Sequence, residues 1–150
     1  MISLYFEDLE LNQTFETGGR TITEADSTFF CMLSGDWAQL HCDAEYARAT
    51  SFGQRVVGGA FGFLLVAGAY TQWGIFNETG LAMLSVCDWQ FTAPIFIGDT
   101  LRVRMLIAAK RETSKPDRGI IDRKITILNQ KSEEVQSGHS KLLIKRRITT

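Results

Sequence analysis

An acid and an imidazole stand five residues apart, Asp36 and His41, in the stretch Ser34-Gly35-Asp36-Trp37-Ala38-Gln39-Leu40-His41-Cys42-Asp43, which reads as a loop. A carboxylate and an imidazole can serve as general acid and base, because neighbours tune both near neutral pH. About one helix-length later comes an apolar run over 56–70 that opens with Gly58-Gly59. Backbone N–H groups at the start of a helix have no intrahelical partner and suit a developing oxyanion. These are the parts needed for proton transfer next to a carbonyl. Taken singly, each has a plainer reading. Gly35-Asp36 is then a turn whose aspartate bonds its own backbone, His41 a structural histidine, and Gly58-Gly59 an allowance for tight packing.

The elements that must hold these residues follow from periodicity. Residues 14–22 read as a strand interrupted at Gly18-Gly19. Thr23 looks like an N-cap with Asp26 as its capping-box partner, starting an amphipathic helix over 24–33 that Ser34-Gly35 stops. Asp43 caps a short helix through Ala44, Tyr46 and Ala47. The central helix, roughly 59–73, is apolar all round, which predicts cover on most sides. Its interior glycines predict close approach of another backbone. Beyond Gly80 the period becomes two. Ser85, Cys87, Trp89 and Phe91 share one face, and further strands follow through Leu101 to Ile107, Ile121 to Ile127 and over 135–147, joined by turns such as Ile97-Gly98-Asp99. The three tryptophans read as core or interface, Asp99 as a turn residue, and His139 as a solvated residue on a polar strand face. The class is α+β, one long helix against a curved antiparallel sheet that wraps it.

Composition bounds the rest. The chain has 150 residues, 45% hydrophobic and 22% charged, with a formal net charge of -1, which predicts a single domain over 1–150. That charge gives no case for nucleic acid or an anionic membrane as partner. Three cysteines without a C-x-x-C pair, Cys31, Cys42 and Cys87, fit free thiols in a reducing cytosol, and two histidines argue against a metal site. Met1 to Asp8 carry no secretory pattern, and the 56–70 run is shorter than the ~20 apolar residues a membrane span needs. The expected location is cytoplasmic.

The chain as a whole resembles the MaoC-like dehydratases, which include the (R)-specific enoyl-CoA hydratases and have the hotdog fold. Phe6-Glu7-Asp8-Leu9 and the segment from Gly19 to Asp26 are similar to the family's opening. Ser34-Gly35-Asp36 with Leu40-His41-Cys42-Asp43 resembles its hydratase motif, G-D-x-N-P-L-H-x-D. Phe91 to Leu101 resembles its strand-and-turn signature, and Asn129-Gln130 ahead of Glu134-Val135 its last hairpin. Ala38-Gln39 replaces the motif's Asn-Pro, Gly58-Gly59 the usual His-Gly, and Ala67 a serine carried by some of the hydratases.

The resemblance implies a hydratase or dehydratase of acyl-CoA thioesters in fatty acid metabolism, adding water to a trans-2-enoyl-CoA to give the (R)-3-hydroxyacyl-CoA or running the reverse. It implies that Asp36 and His41 share water activation and proton delivery, that Gly59, with Gly58 beside it, supplies the oxyanion donor, and that subunits pair as a homodimer or a multiple of dimers. It implies no metal and no cofactor, coenzyme A being part of the substrate. A thioesterase and a non-catalytic acyl-CoA-binding protein are the alternatives. The small residues at Ala38 and Gly58 predict a widened pocket that favours medium-length or branched acyl groups.

Overall fold

A computed structural model describes residues 3–147; Met1 and Ile2, the first residues inspected for a secretory pattern, lie outside it. The order is a 3-10 turn (Phe6–Asp8), β1 (Thr14–Glu16), β2 (Arg20–Thr21), α1 (Glu24–Ser34), α2 (Gln39–Cys42), α3 (Ala44–Arg48), α4 (Phe61–Trp73), β3 (Gly80–Phe91), β4 (Thr100–Glu112), β5 (Arg118–Leu128) and β6 (Glu134–Lys145). The strands form one antiparallel sheet in the order β1-β4-β5-β6-β3, with β2 also pairing to β4. This is the expected α+β architecture, and α4 is its centre.

Local chemistry sets the boundaries. Thr23 and Asp26 form the reciprocal capping box that starts α1, which supplies two of the first turn's orphan donors with acceptors. Gly35, at φ 74°, ends it with its N–H on the Cys31 carbonyl. The Asp43 carboxylate accepts from the Tyr46 N–H at 3.0 Å and starts α3. The segment read as an open loop up to His41 instead closes into α2, a single turn that carries His41.

The buried side of α4, Phe61, Leu65, Val66, Ala69 and Trp73, shares one core with the sheet residues Met105, Ile107, Ile121, Ile125, Ile127 and Ile144. Each of the large aliphatic and phenylalanine side chains among them contributes about 1.5–3 kcal/mol on leaving water. Cover is less complete than the apolar sequence predicts, because Leu64 is 52% exposed and Ala67 and Gly68 are exposed beside it. The glycines also differ from expectation. A Cβ on Gly62 would lie 2.3 Å from the Gln136 side-chain oxygen, so a side chain and not a backbone makes the approach, and Gly68 faces open space.

The edge strand β3 shows Leu81, Met83, Leu84 and Val86 to solvent. Its alternation is broken by a register shift between Cys87 and Gln90, where Asp88 adopts φ 54°. Such bulges re-aim side chains. Cys87 stays opposite His139, while Trp89 turns to the helix side and meets Phe63 edge-on at 5.4 Å, so the two do not share the face that strict alternation predicts. His139 is not simply solvated: its Nδ1 lies 2.8 Å from Asp122 Oδ1, and both side chains are partly buried. Asp99 is the turn residue expected, accepting from the Phe96 N–H at 2.8 Å.

Candidate active site

The end of α1, the single turn α2 and the entry to α4 bring the chemically capable residues together. The Asp36 carboxylate has two jobs. Oδ1 accepts from the Ala38 N–H at 3.4 Å, the local turn contact its sequence context suggests. Oδ2 lies 3.6 Å from His41 Nε2. His41 Nδ1 is 2.7 Å from the Val56 carbonyl oxygen. A carbonyl only accepts, so Nδ1 carries the proton, and in the neutral ring Nε2 holds the lone pair that faces Asp36. The Val56 segment is itself pinned, because its N–H donates to the Leu40 carbonyl at 3.1 Å and the Val57 N–H to the Ile95 carbonyl at 2.8 Å. Arg55, one residue earlier, clasps Glu24 of α1 with two bonds of 2.8 and 2.6 Å. The Arg55 guanidinium holds the Glu24 carboxyl below its ordinary range.

His41 and Gly59 line one cleft of about 360 Å³, with Phe91, Thr92, Ile95 and Gln136 among its walls. The first amides of α4 are open on this side. Ala60 at its N-cap makes no side-chain cap bond, and among the described residues the N–H groups of Gly59 and Ala60 have no acceptor. Asp36, His41 and Gly59 are thus placed within one region. Gly58 does not widen the cleft as its missing side chain predicts, because a Cβ there would lie 2.1 Å from the Phe30 ring. Phe30 fills that space. Ala67 sits on the uncovered stripe of α4.

Gln136 is the functional neighbour that the sequence did not single out. It is 2% exposed. Its Nε2 donates to the Gly59 carbonyl at 2.9 Å, and its Oε1 accepts from Trp89 Nε1 at 3.1 Å. The amide therefore fixes the peptide that presents the helix-start donors. Gln136 lies on a strand 77 residues from Gly59, and no local pattern announces such a contact. Among the described residues no cluster of three or more His, Cys, Asp or Glu side chains is placed to hold a metal, and no helix is long and apolar enough to cross a membrane.

A helix wrapped by an antiparallel sheet, with an acid, an imidazole and open helix-start amides at one end, is the hotdog fold carrying a site suited to proton-transfer chemistry. The sequence matches the MaoC like domain over residues 8–127, and the chain belongs to that family. It is 36% identical over 114 residues to Protein MaoC of Klebsiella aerogenes, covering 76% of this chain and 33% of that protein. It is 27% identical over 146 residues to mesaconyl-CoA hydratase of Cereibacter sphaeroides, covering 97% of this chain and 42% of that one. Among solved structures it superimposes on a monoamine oxidase regulatory protein from Archaeoglobus fulgidus with a TM-score of 0.91 at 27% identity, over 99% of this chain and 98% of the other. The chain thus spans 33% and 42% of the two curated relatives' lengths.

Proposed function

We propose that the protein hydrates and dehydrates acyl-CoA thioesters, interconverting a trans-2-enoyl-CoA and the (R)-3-hydroxyacyl-CoA. The observation that carries this reading is the Asp36–His41 pair, 3.6 Å apart, next to helix-start amides in a cleft that Gly59 lines. In the forward direction the oxygen of water bonds to C3 as one member of the pair takes its proton. The other member delivers a proton to C2, and a proton passing between the two resets the site. Electron density driven onto the thioester oxygen is met by the Gly59 N–H. Such preorganised donors are often the largest electrostatic contribution in acyl chemistry. A family likeness, with a relative named as a hydratase, supports the same reaction class.

The active form in this reading is a homodimer. The β3 edge exposes five large apolar side chains and an unpaired row of backbone groups, which natural proteins cover or blunt. Sedimentation at micromolar concentration should give a dimer or a multiple of it; monomer alone would remove this part of the proposal.

The deciding experiment incubates the protein with a panel of enoyl-CoAs and follows the conjugated chromophore and free thiol together. Loss of the chromophore without thiol is the expected result. Thiol release would replace the hydratase reading with a thioesterase. Thermal stabilisation by acyl-CoA without turnover of any kind would replace it with a binding protein.

A further inference from the structure

Three side chains with complementary chemistry stand on adjacent strands of the sheet's outer face. Cys87 of β3, a free and partly exposed thiol, is directly opposite His139 of β6. His139 Nδ1 lies 2.8 Å from Oδ1 of Asp122 on β5. Gln136, Gly138, Ser140, Leu142 and Ile144 turn the buried side of β6 to the core, so His139 and its neighbour Cys87 belong to the face away from α4. Opposed residues of an antiparallel pair hold their Cβ atoms about 4.5–5.5 Å apart, within reach of a thiol–imidazole contact. A carboxylate only accepts, so in the neutral ring Nδ1 carries the proton and Nε2 keeps its lone pair. A nucleophile, a base and a carboxylate that orients the base are the parts that activate a thiol. None of the three belongs to the cleft that holds His41 and Gly59.

The surface around them is basic. Lys124 is opposite His139, and Lys141 is opposite Asp122. Arg111 lines a cavity of about 140 Å³ with Asp122 and Lys141. All three cations are exposed, and none enters an ion pair among the described residues. Against them stand Asp122, already engaged by His139, and Asp88, next to Cys87 at the bulge. The cations outnumber the acids, and a net positive field concentrates anions.

We propose that Cys87 is a modification site, where an anionic low-molecular-weight disulfide leaves a mixed disulfide. The Cys87 sulfur attacks one sulfur of the reagent while its proton passes to His139 Nε2. A new S–S bond forms, the reagent's own S–S bond breaks, and His139 returns the proton to the departing thiolate. Cys87 is oxidised, the reagent is the oxidant, and one small thiol leaves. Lys124, Lys141 and Arg111 receive the negative groups of the reagent, which are carboxylates in glutathione disulfide and phosphates in coenzyme A disulfide. The site is independent of the hydratase reading. Pairing of the β3 edge leaves it open, because that pairing covers backbone groups and not the outer face.

The test treats the reduced protein with glutathione disulfide, coenzyme A disulfide, neutral hydroxyethyl disulfide and cationic cystamine, and follows each cysteine by peptide mass spectrometry. Cys31 and Cys42 are the internal comparison. Cys31 is buried, and Cys42 is exposed, with its Sγ on the Trp37 and Ala38 carbonyls at 3.3 and 3.4 Å. Exposure alone therefore favours Cys42, whereas the His139–Asp122 pair favours Cys87. An unassisted thiol is only a few per cent ionised at pH 7, so base assistance has about 10-fold to give. Cys87 should outpace Cys42 by about that factor, and His139→Ala should remove the advantage while leaving the Cys42 rate unchanged. At low salt both anionic reagents should outpace cystamine at Cys87 by about 10-fold, and Lys124→Gln with Lys141→Gln should erase that preference. The faster of the two anionic reagents identifies carboxylates or phosphates as the groups recognised. The substituted side chains are all at least partly exposed, so the variants keep the fold. A Cys87 rate at or below that of Cys42, or one indifferent to His139→Ala, overturns the proposal. Cystamine reacting as fast as the anionic reagents overturns the choice of ligand.

Discussion

Asp36 Oδ2 stands 3.6 Å from His41 Nε2, while the opposite ring nitrogen of His41 is held at 2.7 Å by the Val56 carbonyl. The histidine therefore presents one defined tautomer to the acid. The two atoms are too far apart for a direct bond and close enough to contact the same water oxygen. Asp36→Asn and His41→Ala should each lower hydration turnover by about 10²- to 10⁴-fold, the usual contribution of a general acid or base. Neither side chain belongs to the core, so both variants should keep wild-type circular dichroism. Turnover near wild type in either folded variant would show that the pair is structural.

Phe30 occupies the place a side chain at position 58 would take, with its ring 2.1 Å from an added Cβ. The ring is 7% exposed and packs edge-on against Phe61 at 6.2 Å, so it has little room to yield. Gly58→Ala should destabilise the protein by about 1–3 kcal/mol, as overpacking does. Phe30→Val in the same background should recover part of that loss, since contacting sites are not additive. The check is a double-mutant cycle by chemical denaturation. Simple additivity would mean that the loop moves away and Phe30 does not limit it.

What the sequence made legible is what local chemistry dictates. The Thr23–Asp26 box and the Asp43 cap stand at their expected places, and the period-two strands are present, with β4 running on to Glu112 beyond the expected Ile107. Asp36 and His41 are brought to 3.6 Å by the single turn α2, which the loop reading of that stretch did not contain. What was hidden joins distant segments. The contacts of Gln136 with Gly59 and Trp89 span 77 and 47 residues, and His139 reads in sequence as one more polar residue in an alternating strand. The bulge at Asp88 turned Trp89 to the other face of β3, and hydrophobic alternation gives no sign of where an extra residue enters a ladder. The uncovered stripe on α4 was missed for a different reason. An all-apolar helix predicts cover, and periodicity does not say whether the same chain provides it.

The bidentate Glu24–Arg55 pair ties α1 to the segment that holds His41. Hydrogen bonding by the guanidinium depresses the folded-state value of the Glu24 carboxyl relative to the unfolded chain. The pair's stabilisation is therefore fully present above the unfolded value, roughly 4.3, and is lost as the pH falls through the folded one. Glu24 is 59% exposed at its side chain, which limits the contribution to under about 1 kcal/mol. Glu24→Gln should trail wild type by that margin at neutral pH and match it in strong acid, below the folded-state value. Denaturant midpoints at the two pH values make the comparison, and a gap that persists in acid would assign the effect to something other than charge.

The Gln136 amide connects the strand bulge to the helix start, accepting from Trp89 Nε1 at 3.1 Å and donating to the Gly59 carbonyl at 2.9 Å. Removing it leaves the Trp89 donor and the Gly59 carbonyl without their partner, at about 1–3 kcal/mol each where water does not take its place. Gln136→Leu keeps much of the volume and loses both bonds. Trp89→Phe removes only the indole donor and leaves the bond to Gly59. If the amide's role is to aim the helix-start N–H groups, Gln136→Leu should lower kcat as well as stability, whereas Trp89→Phe should lower stability with kcat largely kept. Gly62→Ala approaches the same point from the opposite side, because its Cβ would lie 2.3 Å from Gln136 Oε1. It should push the amide away from Gly59 and behave like Gln136→Leu in kcat. Steady-state kinetics at temperatures where all three variants are folded separates the two effects. Equal kcat across the series would leave Gln136 with a purely structural part.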